Sequence, residues 1–301
     1  DNDPFIKART SSYRDHAAQV GFGKKGKDWD VGASMKWLGA GYNTMGYPFV
    51  QNDRLEYTVN TKFNAFKKKT NVVASIGQRF GSYSTSSKTT QLIANANVFT
   101  QFDDHFSLNV SYNNFGFQTP GLLGIKNVGN DLGVNPVYTW SNTKMSHLLS
   151  GTYNWSKYDE RYLGVTTTNN THTALLLYVP TFFNKPNFSP DISVMYFLNQ
   201  SSLYKLTIYT ASVGAAFKIP KRKIDIRTQL QFNVTKIDPK TPSKNLLATI
   251  GLDCKLTKKL TWKNSFTGNI FKYGDELGIP FIGARYFETM YRTALQYRFG
   301  K

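Results

Sequence analysis

The chain lacks most of what would make it an enzyme, a helical membrane protein or a disulfide scaffold. It has one cysteine, Cys254, in 301 residues. That excludes an intramolecular disulfide and any cysteine-based metal site. No run approaches the ~18 consecutive apolar residues of a membrane-spanning helix. Only 19% of residues are charged, and acidic residues are scarce at 19 against 37 basic ones. The four histidines, His16, His105, His147 and His172, have no metal-ligand spacing and read as structural or interfacial. No nucleophile elbow or phosphate-binding loop is present; Gly39-Ala-Gly41 lacks a strand-to-helix context. The nearest catalytic constellation is His147 with Ser146 and Ser150, and a regular strand would point His147 and Ser150 to opposite faces. The expected class is therefore not an enzyme, with no cofactor. The opening Asp1-Asn-Asp-Pro-Phe5 is polar and carries no secretory signal, so the chain reads as a mature form or a fragment.

Aromatic residues, by contrast, are abundant, at 15% with 18 Tyr and 22 Phe, although the mean hydropathy is only −0.40. They fall into a period-two pattern. In residues 54–66, Leu55, Tyr57, Val59, Thr61, Phe63 and Ala65 take one face; Arg54, Glu56, Thr58, Asn60, Lys62 and Asn64 take the other. Residues 224–235 repeat it, as do 29–37, 106–113, 191–198, 245–256, 260–270 and the last run, 291–299. Alternation over so many residues, so often, is a strand signal. The runs match the ~9–11 residues of a tilted membrane strand and exceed the ~5–6 of an average soluble one. The expected fold is all-β: a transmembrane antiparallel up-and-down β-barrel of about 14–16 strands, with one face of each strand toward lipid and the other toward the lumen. A large soluble sandwich or propeller is the competing architecture.

Such barrels alternate short periplasmic turns with longer outer loops. Placing the C-terminus in the periplasm predicts short turns near 24–28, 67–71, 102–105, 157–160, 184–187, 220–223 and 258–259. It predicts outer loops near 39–53, 83–88, 116–143, 168–171, 199–203, 238–244 and 273–287. Residues 116–143, rich in Gly and Pro, are expected to be the longest loop and a candidate plug, binding loop or protein contact. Residues 161–167 make the weakest strand. The walk gives about 15 strands, an odd number, whereas bacterial barrels are even. Residues 1–15 are thus an N-terminal extension, an outer loop or a further strand, or upstream sequence is missing. The whole of 1–301 reads as a single barrel domain.

The net charge of +18 gathers in the short turns. Lys24, Lys25, Lys67, Lys68, Lys69, Lys221, Arg222, Lys223, Lys258 and Lys259 form a candidate basic rim facing the phosphates of the periplasmic leaflet. Solvated turns that protect strand edges would show the same charges. Dispersion over separate turns argues against nucleic acid as a partner. The expected partners are outer-membrane lipid and other outer-membrane or periplasmic proteins. Asp30, Lys36, Glu56, Lys62, Arg79, Asp225, Arg227 and Lys263, with Asp253, are the candidate lumen-lining charges. They would either tune a water-filled pore or cross-link a filled one. Cys254 shares its face with Ile250, Leu252 and Leu256 and reads as lipid-facing. Trp29, Trp37, Trp155, Trp262, Tyr291 and Tyr297 read as interfacial girdle residues at strand ends.

One stretch carries a family resemblance. Gly39-Ala-Gly41-Tyr42-Asn-Thr44-Met-Gly46-Tyr-Pro48-Phe49-Val-Gln-Asn52-Asp53, followed by Glu56-Tyr57-Thr58, resembles a strand–loop–strand signature of outer-membrane barrels from the Bacteroidota. The closing Tyr297-Arg-Phe-Gly-Lys301 is similar to their ends, although Gly-Lys follows the terminal aromatic. The resemblance covers residues 29–115 and the last strand. It implies the bacterial outer membrane as the compartment. Two functions are expected from residues and resemblance together. One is a channel or transport barrel for small solutes; the other is a non-conducting scaffold or accessory subunit of an outer-membrane complex, such as a secretion or gliding apparatus.

Overall fold

A computed structural model describes residues 16–40, 53–82, 88–121, 124–184, 187–219, 222–257, 259–274 and 284–298. The described residues contain fifteen strands and no α-helix. The first five are β1 (Ala17–Lys25), β2 (Trp29–Leu38), β3 (Arg54–Ala65), β4 (Thr70–Gly81) and β5 (Thr89–Gln101). Next come β6 (Phe106–Gln118), β7 (Lys126–Ser141), β8 (Met145–Tyr162), β9 (Val165–Phe182) and β10 (Phe188–Gln200). The last are β11 (Lys205–Ile219), β12 (Ile224–Asp238), β13 (Ser243–Lys255), β14 (Leu260–Lys272) and β15 (Arg285–Tyr297). Each strand pairs with its sequence neighbours in the order β1 to β15. The fold is all-β, antiparallel and up-and-down, as the alternation predicts. Among the described residues no helix is long and apolar enough to cross a membrane.

The contacts divide the chain into two compact units. The first comprises Asp1–Phe99, Val110–Leu132 and Lys157–Thr168; the second comprises Thr100–Asn109, Gly133–Ser156 and Asn169–Lys301. In the first, the register runs Asp30↔Lys62 and Lys36↔Glu56 between β2 and β3, then Glu56↔Arg79 between β3 and β4. In the second, an unbroken register links β9 to β15: Tyr196↔Tyr209, Tyr209↔Val234, Leu230↔Ala248, Ile250↔Phe266 and Phe266↔Tyr291 all lie on one face. Because side chains alternate, every strand here has one apolar and one polar face. The apolar face is exposed. Val213 is 56% accessible, Leu230 51% and Ile250 53%; among the described residues the only buried large hydrophobic side chain is Leu38.

Alternate connections differ in length. One set, 26–28, 66–69, 102–105, 142–144, 183–187, 220–223 and 256–259, has three to five residues each. The other set is mixed: 39–53, 82–88, 119–125 and 273–284 are longer, but 163–164, 201–204 and 239–242 have only two to four residues. The expected alternation therefore holds only in part, and its middle part is revised. Residues 126–141, expected inside the longest loop, form β7. The expected turn at 157–160 lies within β8, and the expected outer loop at 168–171 lies within β9. The weak strand expected at 161–167 does not exist as a separate element; its residues end β8 and begin β9. One strand missed and one split strand cancel, so the total stays within the expected range.

Both revisions have a local cause. β7 is rich in Gly, Asn and Asp and contains Pro136, which lowers β-propensity. Cross-strand contacts override that. The Asn114 amide donates to the Gly129 carbonyl at 3.2 Å and to Asn130 Oδ1 at 2.8 Å, and the Tyr112 hydroxyl donates to the same Oδ1 at 2.8 Å. Gly129 leaves room for the Phe115 ring, which a Cβ there would strike at 2.1 Å. The β8–β9 hairpin turns on Leu163 (φ 49°) and Gly164 (φ 81°), a two-residue loop with both residues left-handed. That loop matches the twist of adjacent strands, so the strands continue to it.

Candidate functional site

The polar face carries most of the expected lumen charges. In the first unit, Glu56 accepts from Arg79 Nε at 2.7 Å and pairs with Arg54. Arg79 also donates to Gln91 Oε1 at 3.0 Å. Asp30 and Lys62 are cross-strand partners without a recorded ion pair, and Lys36 stands opposite the Glu56 clamp. An open depression of about 410 Å³ lies on this face, lined by Asp30, Asn60, Lys62, Ser75, Asn95 and Asn97.

The second unit has a matching zone. Asp225 faces Asp253, Asp253 faces Lys263, and Arg227 lies one row away across Gly251 and Ser265 from Arg292. These side chains line a depression of about 310 Å³. None of Asp225, Arg227, Asp253, Lys263 and Arg292 makes an ion pair with another described residue. Glycine at 251 keeps the middle of the zone open. Asp253 was among the expected lining charges; Arg292 was not, although alternation in the closing run already sets it on the face opposite Tyr291, and register adds that it shares a row with Arg227.

At the ends of β7 to β9 joined to the connections 119–125 and 163–164, a denser network forms within the first unit. Lys126 Nζ donates to Asp159 Oδ2 at 2.8 Å, and Thr168 donates to Oδ1 at 2.9 Å. Arg161 donates to the carbonyls of Gly124 and Gly121 at 2.9 and 3.2 Å, and Tyr158 donates to Asn127. Asp159 is the fifteenth residue of β8, beyond the ~9–11 that a tilted strand needs to cross. Burial pushes its carboxyl pKa up, but hydrogen bonds from Lys126 and Thr168 and the charges of Lys126 and Lys157 outweigh it and hold the pKa below the ordinary value. These residues are structural: each donor has its acceptor.

Three of the four histidines are also accounted for. His147 stacks on Trp140 at 4.6 Å and 8° and bonds Tyr178 Oη at 2.7 Å. His105 bonds the Thr139 carbonyl at 2.9 Å, and His172 bonds the Tyr153 hydroxyl at 2.8 Å. An aromatic row, Tyr138, Trp140, His147 and Tyr178, stands at the short-turn end of β7 to β9, and Phe182, Phe188 and Phe217 form another stack. Trp140 and its neighbours went unrecognised because β7 read as loop. Tyr291, expected at a strand end, lies at the middle of β15, where its hydroxyl donates to Asn264. Cys254 is on the apolar face, opposite Ile224 and Trp262.

Of the expected basic rim, Lys24 and Lys25 end β1, Lys67, Lys68 and Lys69 occupy the turn 66–69, and Arg222, Lys223 and Lys259 sit in two further short turns. All eight are exposed. Lys221 and Lys258 lie outside the described residues, as do residues 1–15 and most of the 39–53 loop that carries the Bacteroidota-like signature.

Comparisons find outer-membrane proteins among solved structures. The outer membrane channel DcaP of Acinetobacter baumannii matches at TM-score 0.45 and 12% identity, over 94% of this chain and 97% of that one. OmpT of Vibrio cholerae, an outer-membrane protein, matches at 0.42 and 7%, over 94% and 95%. An anion-selective porin from Comamonas acidovorans matches at 0.38 and 10%, over 94% and 98%. At these scores the likeness is one of architecture only. No family model and no curated protein matches the chain.

Proposed function

We propose that this protein is an integral β-barrel of a bacterial outer membrane, non-enzymatic, that forms a water-filled passage for small solutes. One observation carries the membrane reading: the large apolar side chains lie on the exposed face of the sheet, with Leu38 the only buried one described. A soluble sheet buries that face; hydrocarbon is the medium that covers it here. The opposite face then lines the interior, and its unpaired charges require water. Asp30, Lys62, Asp225, Arg227, Asp253, Lys263 and Arg292 are such charges. Fifteen strands make a wall wide enough for an open lumen. The connection 119–125 replaces the 28-residue loop that was the candidate plug, which further favours an open passage.

The second reading, a non-conducting accessory subunit of an outer-membrane complex, draws on the Bacteroidota-like segment at 29–115, a group in which some barrels serve secretion or gliding. The exposed basic turns would then meet periplasmic partners or leaflet phosphates. Planar-bilayer recording of the purified protein separates the two. Stepwise conductance is expected, and Lys62→Glu with Arg227→Glu should shift its ion selectivity toward cations. A folded, inserted protein that never conducts would overturn the passage.

A further inference from the structure

Five basic side chains stand on the apolar face at the ends of β11 to β15 opposite the short turns 220–223 and 256–259: Lys205, Lys236, Lys244, Lys272 and Arg285. Their strand parity places them above apolar columns. Lys244 continues Leu246, Ala248 and Ile250; Lys272 continues Ile270 and Phe266; Arg285 continues Phe287 and Tyr291. Two of the five share one carboxylate. Asp238 lies 2.6 Å from Lys236 Nζ and 3.7 Å from Lys205 Nζ.

The other three differ. Lys244 is the direct cross-strand partner of Lys272, and Lys272 of Arg285. All three are exposed, and none has a carboxylate or a side-chain hydrogen-bond partner among the described residues. Directly opposed like charges destabilise a sheet. An anion lying across the row would relieve all three at once. Beneath it the rows are Leu246↔Ile270↔Phe287, then the smaller Ala248↔Gly268↔Thr289, then Ile250↔Phe266↔Tyr291. An apolar row thus lies directly below the cations, and the Phe287 ring leans over Gly268 in the smaller row beneath it. Charge above and apolar surface directly below match an anionic amphiphile.

We propose that Lys244, Lys272 and Arg285 bind the phosphate of an anionic lipid of the outward leaflet, whose acyl chains lie on the apolar face beneath. Arg285 supplies a planar fork for phosphate oxygens, and the two lysines supply point charges. The proposal rests on the membrane reading above. It commits to a lipid headgroup because apolar surface directly adjoins the row, as the chains of an amphiphile require and a free anion does not.

The test uses the full chain folded in detergent. Binding is measured for a diphosphoryl glycolipid of lipid A type, for its dephosphorylated form and for inorganic phosphate. Vesicle insertion, read by protease protection, is scored separately. The phosphorylated lipid should bind roughly tenfold or more tighter than its dephosphorylated form. At about fivefold per charge, K244Q/K272Q/R285Q should lose roughly a hundredfold, while K205Q/K236Q stays near wild type. R285Q alone should lose about fivefold, which keeps the test open if the triple variant fails to fold. Equal affinity for both lipid forms, unchanged binding by the variants, or displacement of the lipid by equimolar inorganic phosphate would overturn the proposal. Insertion without phosphate preference overturns the headgroup site and leaves the membrane reading standing. Failure to insert overturns both.

Discussion

Arginine at Leu230 should be one of the most damaging single substitutions on the apolar face. Leu230 is the seventh residue of β12 and pairs with Val213 and Ala248, both on the same face. A strand rises ~3.4 Å per residue, which a tilt near 40° reduces to about 2.6 Å along the membrane normal. Six steps from Ile224 therefore place Leu230 about 16 Å above the inner end, near the centre of an apolar band ~25 Å tall. A guanidinium there should cost ~2–4 kcal/mol. The same change at Ile224, beside Lys223 at the strand's inner end, should cost only ~0–1 kcal/mol. On the polar face, Gln229→Arg should cost less than ~0.5 kcal/mol, as an unremarkable solvated substitution does. Reversible denaturant unfolding in phospholipid vesicles, followed by tryptophan fluorescence, reads all three. Equal stability of the Leu230 and Gln229 variants would refute the facing assignment, and with it the claim that hydrocarbon covers this face.

Other expectations follow from the described contacts. Trp140→Ala removes stacking on Tyr138, His147 and Tyr178 and should cost ~1–3 kcal/mol in the same unfolding assay. Gly164→Val puts a β-branched side chain at φ 81° and should cost at least ~1 kcal/mol, seen as faster proteolysis at the 163–164 hairpin with conductance unchanged. Because the Asp159 pKa is lowered in the folded state, its contribution is complete above the unfolded carboxylate pKa and is lost as pH falls through the folded value. Protease protection around 157–168 should therefore hold at neutral pH and weaken in strong acid. Asp159→Asn should show the weaker protection at neutral pH as well.

Much of the candidate site was legible before any contact was known. Asp30, Glu56, Lys62, Asp225 and Arg227 could be assigned to one face because alternation is a property of consecutive residues. Cys254 could be assigned to the other face on the same ground. What such a reading could not reach was pairing. Glu56 reads as one more lumen charge until Arg54 and Arg79 are found on either side of it. Asp225 and Asp253 read as scattered carboxylates until register sets them opposite each other. His147 reads as a weak catalytic candidate until Trp140 and Tyr178 enclose it.

The sequence by itself determined the fold class, the strand length, the two faces of each strand and the place of most short turns, since all of these follow from period and local turn chemistry. Only the tertiary structure decided that 126–141 is a strand, that β8 and β9 run on to a two-residue turn, and that Lys244, Lys272 and Arg285 stand in one row. The physical reason is that backbone pairing in a sheet joins residues far apart in the chain. A segment of Gly, Asn and Pro has little preference of its own for a strand, and contacts supplied by Phe115, Asn114 and their neighbours hold it in one.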